Sequence, residues 1–221
     1  MTYAATVVVS PVGTAVQNGA ALLGGLASIT TASATQPFLL KIEPGQYDLG
    51  ASAIFLKDFV DVEGSGQDAT TIISAASTTI LAGNNMELRQ LSVINSGSAT
   101  FQVGVGCYAA AVGFRMTSVT ATASGSGMFV EALSGHGTFT SCTLIASGTS
   151  GAQGAGMFDN SNSASVVRDS LLRGNTYSVQ IQSGSVNLAN TELDGPASTG
   201  GGLTCVDCYN QSFTPVGPTC M

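Results

Sequence analysis

With 221 residues, of which 9% are charged and 44% hydrophobic, the chain has the size of one domain or one short solenoid with a large buried core. The solvent-exposed faces of helices need Lys, Glu and Arg. These residues are scarce here, and this excludes a mostly helical fold. A net charge of −7 with only six basic residues excludes a basic stripe for nucleic acid or anionic membranes, and no apolar run is long enough to insert into a bilayer.

The first 37 residues open with a valine-rich, strand-like run and continue into a segment whose apolar residues recur at helical spacing, at Leu22, Leu26 and Ile29. Asn18 precedes this segment and is of a residue type that commonly caps helix N-termini. We therefore predict a short helix over residues 18–29. Because the ends of a solenoid expose core side chains and strand edges, this helix is expected to cover one end.

Residues 38–208 carry a repeated strand pattern. Residues 118–125 and 141–148, which lie 23 positions apart, match at five of eight positions. The extended pattern gives a column of apolar, inward-facing positions at irregular intervals in the twenties to low thirties, as in coils whose loops vary in length. This predicted core ladder consists of Ile42, Val62, Val93, Ala121, Leu144, Leu172 and Leu193.

Further short strands lie between these, separated by turns rich in Gly, Ser and Asn. Two or three short strands per repeat without a crossover helix predict an all-β fold, a parallel β-helix with a short N-terminal capping helix, rather than a βαβ sheet. We divide the single domain into an N-terminal strand and helix at residues 1–37, the coils at 38–208, and a C-terminal cap at 209–221.

Three segments resemble a known superfamily. Residues 38–50 and 59–72 resemble the opening coils of pectin-lyase-like β-helix proteins. Residues 202–215 resemble the ending of a bacterial branch of that superfamily that has no assigned chemistry. The resemblance implies a right-handed parallel β-helix. It implies no particular activity, because one fold hosts many functions.

The superfamily includes pectate lyases, pectin methylesterases, polygalacturonases and phage tailspikes, and the chain departs from the site motifs of the enzymes. Residues 58–62, Asp-Phe-Val-Asp-Val, come nearest to the catalytic strand of methylesterases but lack its aromatic residue and Gly. His136 lies in a Gly-His-Gly sequence, as in polygalacturonases, without the accompanying Asp-Asp pair or Arg-x-Lys element. We interpret this single histidine as a turn residue in solvent.

Four acids are the candidates for catalysis if the chain is an enzyme: Asp58, Asp61, Glu63 and Asp159. Asp61 and Glu63 alternate with inward-facing valines and therefore point outward. Aligning residues 40–42 with 60–62 stacks Lys41 on Asp61 and Glu43 on Glu63, about 4.8 Å apart. The two stacked glutamates could hold Ca²⁺, the one cofactor considered, whereas the simpler interpretation is a solvated face neutralised by Lys41. The same alignment pairs Arg173 with Asp194 as an exposed ion pair.

The five cysteines, an odd number, argue against a complete disulfide framework. Cys107 and Cys142 lie in apolar strand contexts and are interpreted as small core residues. Residues three apart on a strand point to opposite faces, so Cys205 and Cys208 are not expected to pair with each other. We interpret Cys205 as a core residue and predict a disulfide between Cys208 and Cys220.

Three functions remain open. We favour a non-catalytic β-helix module of a cell-surface, secreted or virion protein, acting as a scaffold or a glycan-contacting surface, although no signal peptide is visible. The first alternative is a diverged polysaccharide lyase or glycoside hydrolase. The second is a subunit of a trimeric fibre or a filament that associates through outward apolar residues such as Ile94, Phe129 and Ile145. The expected partners are accordingly polysaccharide or further copies of the chain.

Overall fold

The computed structural model describes residues 2–98, 101–108, 112–130, 137–148 and 154–220. Within these ranges it contains the helix α1 (Ala15–Ser28) and twenty strands. The strands are β1 Ala5–Val9, β2 Phe38–Ile42, β3 Gly45–Asp48, β4 Ile54–Phe55, β5 Val60–Glu63, β6 Thr70–Ser74, β7 Thr78–Leu81, β8 Glu87–Asn95, β9 Val103–Cys107, β10 Arg115–Ala123, β11 Ser126–Val130, β12 Gly137–Thr140, β13 Thr143–Ala146, β14 Ala155–Arg168, β15 Leu171–Gly174, β16 Tyr177–Ala189, β17 Glu192–Asp194, β18 Ala197–Thr199, β19 Gly202–Val206 and β20 Tyr209–Asn210.

The strands form three parallel-stranded faces that wind around a common core. Face A contains β1, β2, β5, β12 and β19, face B contains β3, β6, β13, β15, β17 and β20, and face C contains β4, β7, β9, β11 and β18. The long strands β8 and β10 run from face A into face B, and β14 and β16 run from face C into face A. The predicted right-handed parallel β-helix is confirmed.

The core consists of three ladders of stacked, inward-facing side chains, one for each face. On face B, Val93 pairs with Ala121, and Leu144, Leu172 and Leu193 follow in successive coils. Every member of this run is buried. The other two ladders are Leu40, Val62, Leu88, Met116, Phe139, Val167, Leu188 and Cys205 on face A, and Ile54, Ile80, Val105, Met128, Met157 and Val179 on face C.

The predicted core ladder needs correction at its first two members. Ile42 and Val62 are buried, but both lie on face A, where Val62 stacks between Leu40 and Leu88. The face B residue that precedes Val93 is Ile72. Faces A and B carry the same alternating apolar pattern, so the pattern alone does not distinguish them in coils where they are separate strands.

A tight corner joins face A to face B in six successive coils. One residue at each of these corners has a left-handed backbone conformation, with φ between 48° and 55°. These residues are Gln90, Ser118, Ser141, Asp169, Asn190 and Asp207. Asn, Asp and Ser tolerate this conformation better than bulky or β-branched residues, which explains the polar turns between the apolar strands.

Helix α1 covers the N-terminal end of the coils, as predicted, but it begins before residue 18. Thr14 is the N-cap, and its side chain and that of Gln17 form a reciprocal capping box. Asn18 lies inside the helix, where its side chain accepts a hydrogen bond from Val12 N at 2.7 Å and donates one to Gln46 O at 3.0 Å. The predicted N-cap is therefore wrong, because Asn18 binds the preceding loop and β3 instead of the helix backbone.

The helix packs closely on the first coil. Leu22 and Leu26 are buried against it, as is Ile29 just after the helix. Gly19 makes this approach possible, because a Cβ there would lie 2.0 Å from the carbonyl oxygen of Asp48. Within the described residues, no helix is long and apolar enough to cross a membrane.

The C-terminal tail crosses the last coil and is held by a disulfide between Cys205 and Cys220. The predicted partner of Cys220, Cys208, is a buried free thiol. Cys205 is the last inward residue of the face A ladder, so its thiol lies at the open end of the core, where the tail passes and Pro218 O accepts a hydrogen bond from Cys205 N at 2.9 Å. Cys208 lies at the corner beyond this strand, where its carbonyl oxygen accepts a hydrogen bond from Val216 N at 3.0 Å and its thiol stays buried and unbridged.

Candidate functional site

Charged residues gather on the outer surface of face A in the first coils. Lys41 pairs with Glu63, and Glu63 pairs with Arg89 on the next strand. Lys41 Nζ contacts Glu63 Oε1, and Arg89 Nη2 lies 2.6 Å from Glu63 Oε2. The predicted stacking of Lys41 on Asp61 and of Glu43 on Glu63 is wrong, because the strands are aligned two residues away from the predicted register.

This arrangement keeps Glu63 ionised. Partial burial alone would raise the pKa of Glu63, but hydrogen bonds from Lys41 and Arg89 outweigh it, and the pKa lies below its usual value. Burial likewise opposes the charge on Arg89, yet its hydrogen bonds with Tyr3 and Glu63 raise its pKa. Glu63 is therefore an ion-pair residue with cations on both sides. It is not stacked on Glu43, so the predicted pair of metal ligands is not formed.

Asp61 points outward, as predicted, but it is not solvated. Its side chain is only 6% exposed. Oδ2 accepts a hydrogen bond from the hydroxyl of Tyr3 at 2.7 Å, and Oδ1 accepts one from Glu87 N at 2.7 Å. Arg89 Nη1 lies 3.7 Å away. Burial and the hydrogen bond to Asp61 raise the pKa of Tyr3. Both oxygens of Asp61 are thus engaged within the chain.

A cleft of about 470 Å³ opens beside this network, at the corner between faces C and A. We call it the Phe59 cleft; its lining is Ala34, Pro37, Phe59, Asp61, Asn85, Gly113 and Arg115. Phe59, Asn85 and Gly113 occupy equivalent corner positions in three coils and all have positive φ, of 59°, 50° and 67°. Gly and Asn suit that conformation, whereas for a bulky residue it is strained. Strain of this kind is found preferentially at functional sites.

The same corner carries a ladder of polar side chains that includes Asp58. The carboxylate of Asp58 accepts hydrogen bonds from Asn84 N at 2.7 Å and from Asn84 Nδ2 at 3.0 Å. Asn84 Oδ1 in turn accepts one from Val112 N at 2.9 Å. Asp58 therefore fixes the corner that presents Phe59.

Arg115 supplies positive charge to the Phe59 cleft. Its neighbour on β8 is Glu87, which instead pairs with Arg89 at 3.1 Å and accepts a hydrogen bond from Thr117 at 2.6 Å. Within the described part of the chain, Arg115 has no carboxylate within ion-pair distance. Its side chain lines the Phe59 cleft.

Asp159 is remote from these residues and fully buried. It accepts hydrogen bonds from Ser161 N at 2.8 Å and from Ser165 Oγ at 2.9 Å. Burial raises its pKa, and these hydrogen bonds only partly oppose the effect. No external substrate can reach this carboxyl group without local opening of the coil.

The remaining predicted residues take structural places. Arg173 Nε lies 2.5 Å from Asp194 Oδ2, which agrees with the predicted exposed ion pair. Cys107 and Cys142 are buried in the core; burial raises the pKa of both thiols, that of Cys142 to about 11, so neither is a reactive thiolate. His136 lies outside the described residues.

Outward-facing Phe129 does not form an exposed patch on face C. Its ring stacks on that of Phe158 with centroids 5.0 Å apart and is covered by Phe101 and Tyr108, which leaves it 6% exposed. Ile94 is 38% exposed on face B. Phe129 therefore belongs to a small cluster within the chain rather than to a surface for association.

No protein-family model and no curated protein matches this sequence. Among solved structures, the chain is similar to a pectin methylesterase in complex with a hexasaccharide, with a TM-score of 0.59, 12% identity, and 99% of this chain and 92% of that chain covered. Pectin methylesterase from Erwinia chrysanthemi gives 0.53 and 12% with the same coverage. The A-module of a mannuronan C-5 epimerase from Azotobacter vinelandii gives 0.52 and 13%, covering 91% and 76%. These likenesses show the shared pectin-lyase-like fold.

Proposed function

We propose that the chain is a non-catalytic β-helix module of a surface, secreted or virion protein that binds an acidic polysaccharide in the Phe59 cleft. The observation that carries this proposal is Phe59 itself. A phenylalanine occupies a corner position that Asn or Gly fills in the next two coils, and its ring lines a cleft. A bulky residue at positive φ is strained, and strain of this kind clusters at ligand-binding sites, so we explain the ring by a ligand.

The other groups of the cleft suit a sugar acid. The aromatic ring offers a flat apolar surface for the C–H face of a sugar, and the side chain of Asn85 offers polar contacts for hydroxyl groups. The guanidinium of Arg115 matches a carboxylate, which it can bind through two parallel hydrogen bonds. The likeness to a pectin methylesterase bound to a hexasaccharide supports a carbohydrate ligand for this fold.

The state of the acids supports binding without cleavage. Glycoside hydrolysis needs two carboxyl groups at the scissile bond, one of them protonated. Asp61 has both oxygens engaged by Tyr3 and Glu87, and Glu63 is held ionised between two cations. Glu63 is therefore a poor proton donor, and Asp61 is only 6% exposed.

Calorimetric titration with oligogalacturonate and oligomannuronate tests the proposal. We expect Phe59→Asn and Arg115→Gln each to weaken binding by about tenfold or more, since truncation of central aromatic and Arg contacts has effects of this size. The matched controls are Phe55→Asn, at a 67% exposed ring outside the cleft, and Arg173→Gln. Cleft variants that bind as well as the wild type would contradict the proposal.

A diverged lyase or hydrolase is the second candidate. The observation that favours it is that Asp61 lines the same cleft as Arg115. The binding experiment therefore includes product analysis for new reducing ends and for unsaturated sugars. Products that form with the wild type and are lost in Asp61→Asn would replace the binding proposal with the enzymatic one.

A further inference from the structure

A second concavity lies at the other edge of face A, in the last four coils. It has a volume of about 440 Å³ and runs along the corner between faces A and B. Its lining includes Ser141, Thr143, Asp169, Asn190, Glu192 and Tyr209. We call it the corner groove. Successive coils are about 4.8 Å apart, so these side chains form a row parallel to the axis of the β-helix.

Two stacked aromatic rings stand at the C-terminal end of the corner groove. The rings of Tyr209 and Phe213 lie 5.6 Å apart with an angle of 16° between their planes. Phe213 is 79% exposed and has a left-handed φ of 56°. An exposed ring on a strained backbone contributes little to the stability of the fold. We call this pair the aromatic platform.

The turn that carries Phe213 is held in place. The side-chain oxygen of Asn210 accepts hydrogen bonds from Ser212 N at 2.9 Å and from Thr214 N at 3.1 Å. Phe213 N donates to Asn210 O at 2.8 Å. The platform is therefore preorganised, which lowers the entropic cost of binding.

The groove is polar and acidic. Asn190 Nδ2 donates to Asp169 Oδ1 at 3.3 Å, and Glu192 lies on the adjacent strand β17. At the buried floor of the groove, the hydroxyl of Ser170 has hydrogen-bond partners within the chain: it donates to Arg168 O at 2.6 Å and accepts from Cys142 N at 3.0 Å. Hydroxyl groups of a ligand find acceptors in the two carboxylates, whereas an anionic ligand is repelled by them.

We infer that the corner groove and the aromatic platform together form a second carbohydrate site, for an uncharged glycan. One sugar ring packs on Phe213, and the following sugars donate hydroxyl hydrogen bonds to Glu192 and Asp169. This site is independent of the Phe59 cleft. It binds uncharged glycans, whereas the Phe59 cleft binds acidic ones. The chain then contacts two kinds of glycan at once, on the two edges of face A.

The test is calorimetric titration of the full chain with hexasaccharides of glucan, mannan, xylan and galactan. We expect at least one to bind, and Phe213→Asn and Glu192→Gln each to weaken it by about tenfold or more. Phe213→Asn keeps a residue that tolerates positive φ, so thermal unfolding is expected at the wild-type temperature or above. Phe59→Asn is expected to leave this binding unchanged and to weaken oligogalacturonate binding only, which separates the two sites.

Three results would overturn the inference. The first is that none of the four hexasaccharides binds. The second is that Phe213→Asn binds like the wild type, or that the exposed-ring control Phe55→Asn weakens binding as much. The third is that Ca²⁺ alone binds the groove, with an affinity that Glu192→Gln abolishes, while no sugar does; the carboxylates would then serve a cation.

Discussion

Cys205 and Cys220 are joined by a disulfide that fastens the C-terminal tail across the last coil. The bridge spans a sequence separation of 15, and closure of a loop of that length stabilises a fold by about 3 kcal/mol. We expect Cys220→Ser to lower the free energy of unfolding by that amount, and reductant to do the same in the wild type. Thermal unfolding with and without reductant measures it.

Cys208→Ser serves as the control for that experiment, because it removes a buried thiol that is not bridged. This variant should remain sensitive to reductant. A wild type that melts at one temperature in both conditions, with mass spectrometry showing the bridge reduced, would contradict the prediction.

Arg89 and Arg173 are predicted to differ in their contribution to stability. Arg89 is 20% exposed and bonds to Glu63, Glu87 and Tyr3, so Arg89→Ala leaves several partners unsatisfied; we expect a loss of about 2 kcal/mol. Arg173 is 48% exposed in a single ion pair, and Arg173→Ala should cost at most about 1 kcal/mol. Denaturant unfolding of both variants gives the comparison, and equal losses would contradict it.

Two helical glycines are predicted to respond to alanine with opposite signs. In Gly19→Ala the new Cβ meets Asp48 O at 2.0 Å, and displacing the helix should cost about 1–3 kcal/mol. In Gly24→Ala the Cβ meets nothing within 4 Å, and the higher helix propensity of Ala should raise stability by about 0.5–1 kcal/mol. Melting temperatures of the two variants check the sign; destabilisation by both would mean that α1 packs differently.

Asp159 and Glu63 are predicted to give opposite pH dependences. The pKa of Asp159 is raised from 3.8 in the folded state, so the carboxyl group weakens the fold as pH rises through that value toward the folded pKa. Asp159→Asn should therefore gain stability relative to the wild type between pH 3 and pH 7, about the range in which carboxyl groups titrate.

The pKa of Glu63 is lowered from 4.5, so its contribution to stability is complete above that value and is lost as pH falls through the folded pKa. Glu63→Gln should accordingly lose stability relative to the wild type as pH rises toward 4.5, with no further change above that value. Melting curves of the two variants at several pH values test both signs together. Parallel curves would show that neither group is linked to folding.

The molar mass in solution tests the fibre and filament alternative. Helix α1 covers one end of the coils and the bridged tail covers the other, so we expect a monomer near 22.1 kDa by light scattering. A trimer or a longer assembly would favour the fibre or filament and would direct attention to the exposed side chain of Val8 on β1.

The fold could be predicted from the sequence, but the strand register in the first coils could not. A shift of one residue moves every side chain to the other face, whereas a shift of two leaves the apolar pattern intact. Lys41 was therefore correctly placed on the outside but opposite the wrong residue. The actual register is favoured by charge, since it sets Glu63 between Lys41 and Arg89.

Only part of the Phe59 cleft could be predicted from the sequence. Asp61 was identified as an outward acid, but Asn85 and Arg115 lie one and two coils further along the chain and become its neighbours through loops of variable length. The signal that could have indicated the site is Phe59 itself, at a corner where other coils place Asn or Gly. Recognising it requires the corner alignment, and hence the register. The pairing of the disulfide could not be predicted for a similar reason, because the path of the tail decides which cysteine meets Cys220.

The repeated corner between faces A and B makes a coil a removable unit. Ser118 and Ser141 are the same residue in the same backbone conformation, each with a φ of 54°, one coil apart. Deleting residues 119–141 would join two matching corners and place β13 beside β8, with Leu144 opposite Val93 where Ala121 now lies. That coil lies between the Phe59 cleft and the corner groove. The spacing of the two clefts can therefore be shortened in one step of about 4.8 Å, with Ser118 taking the place of Ser141 in the corner groove.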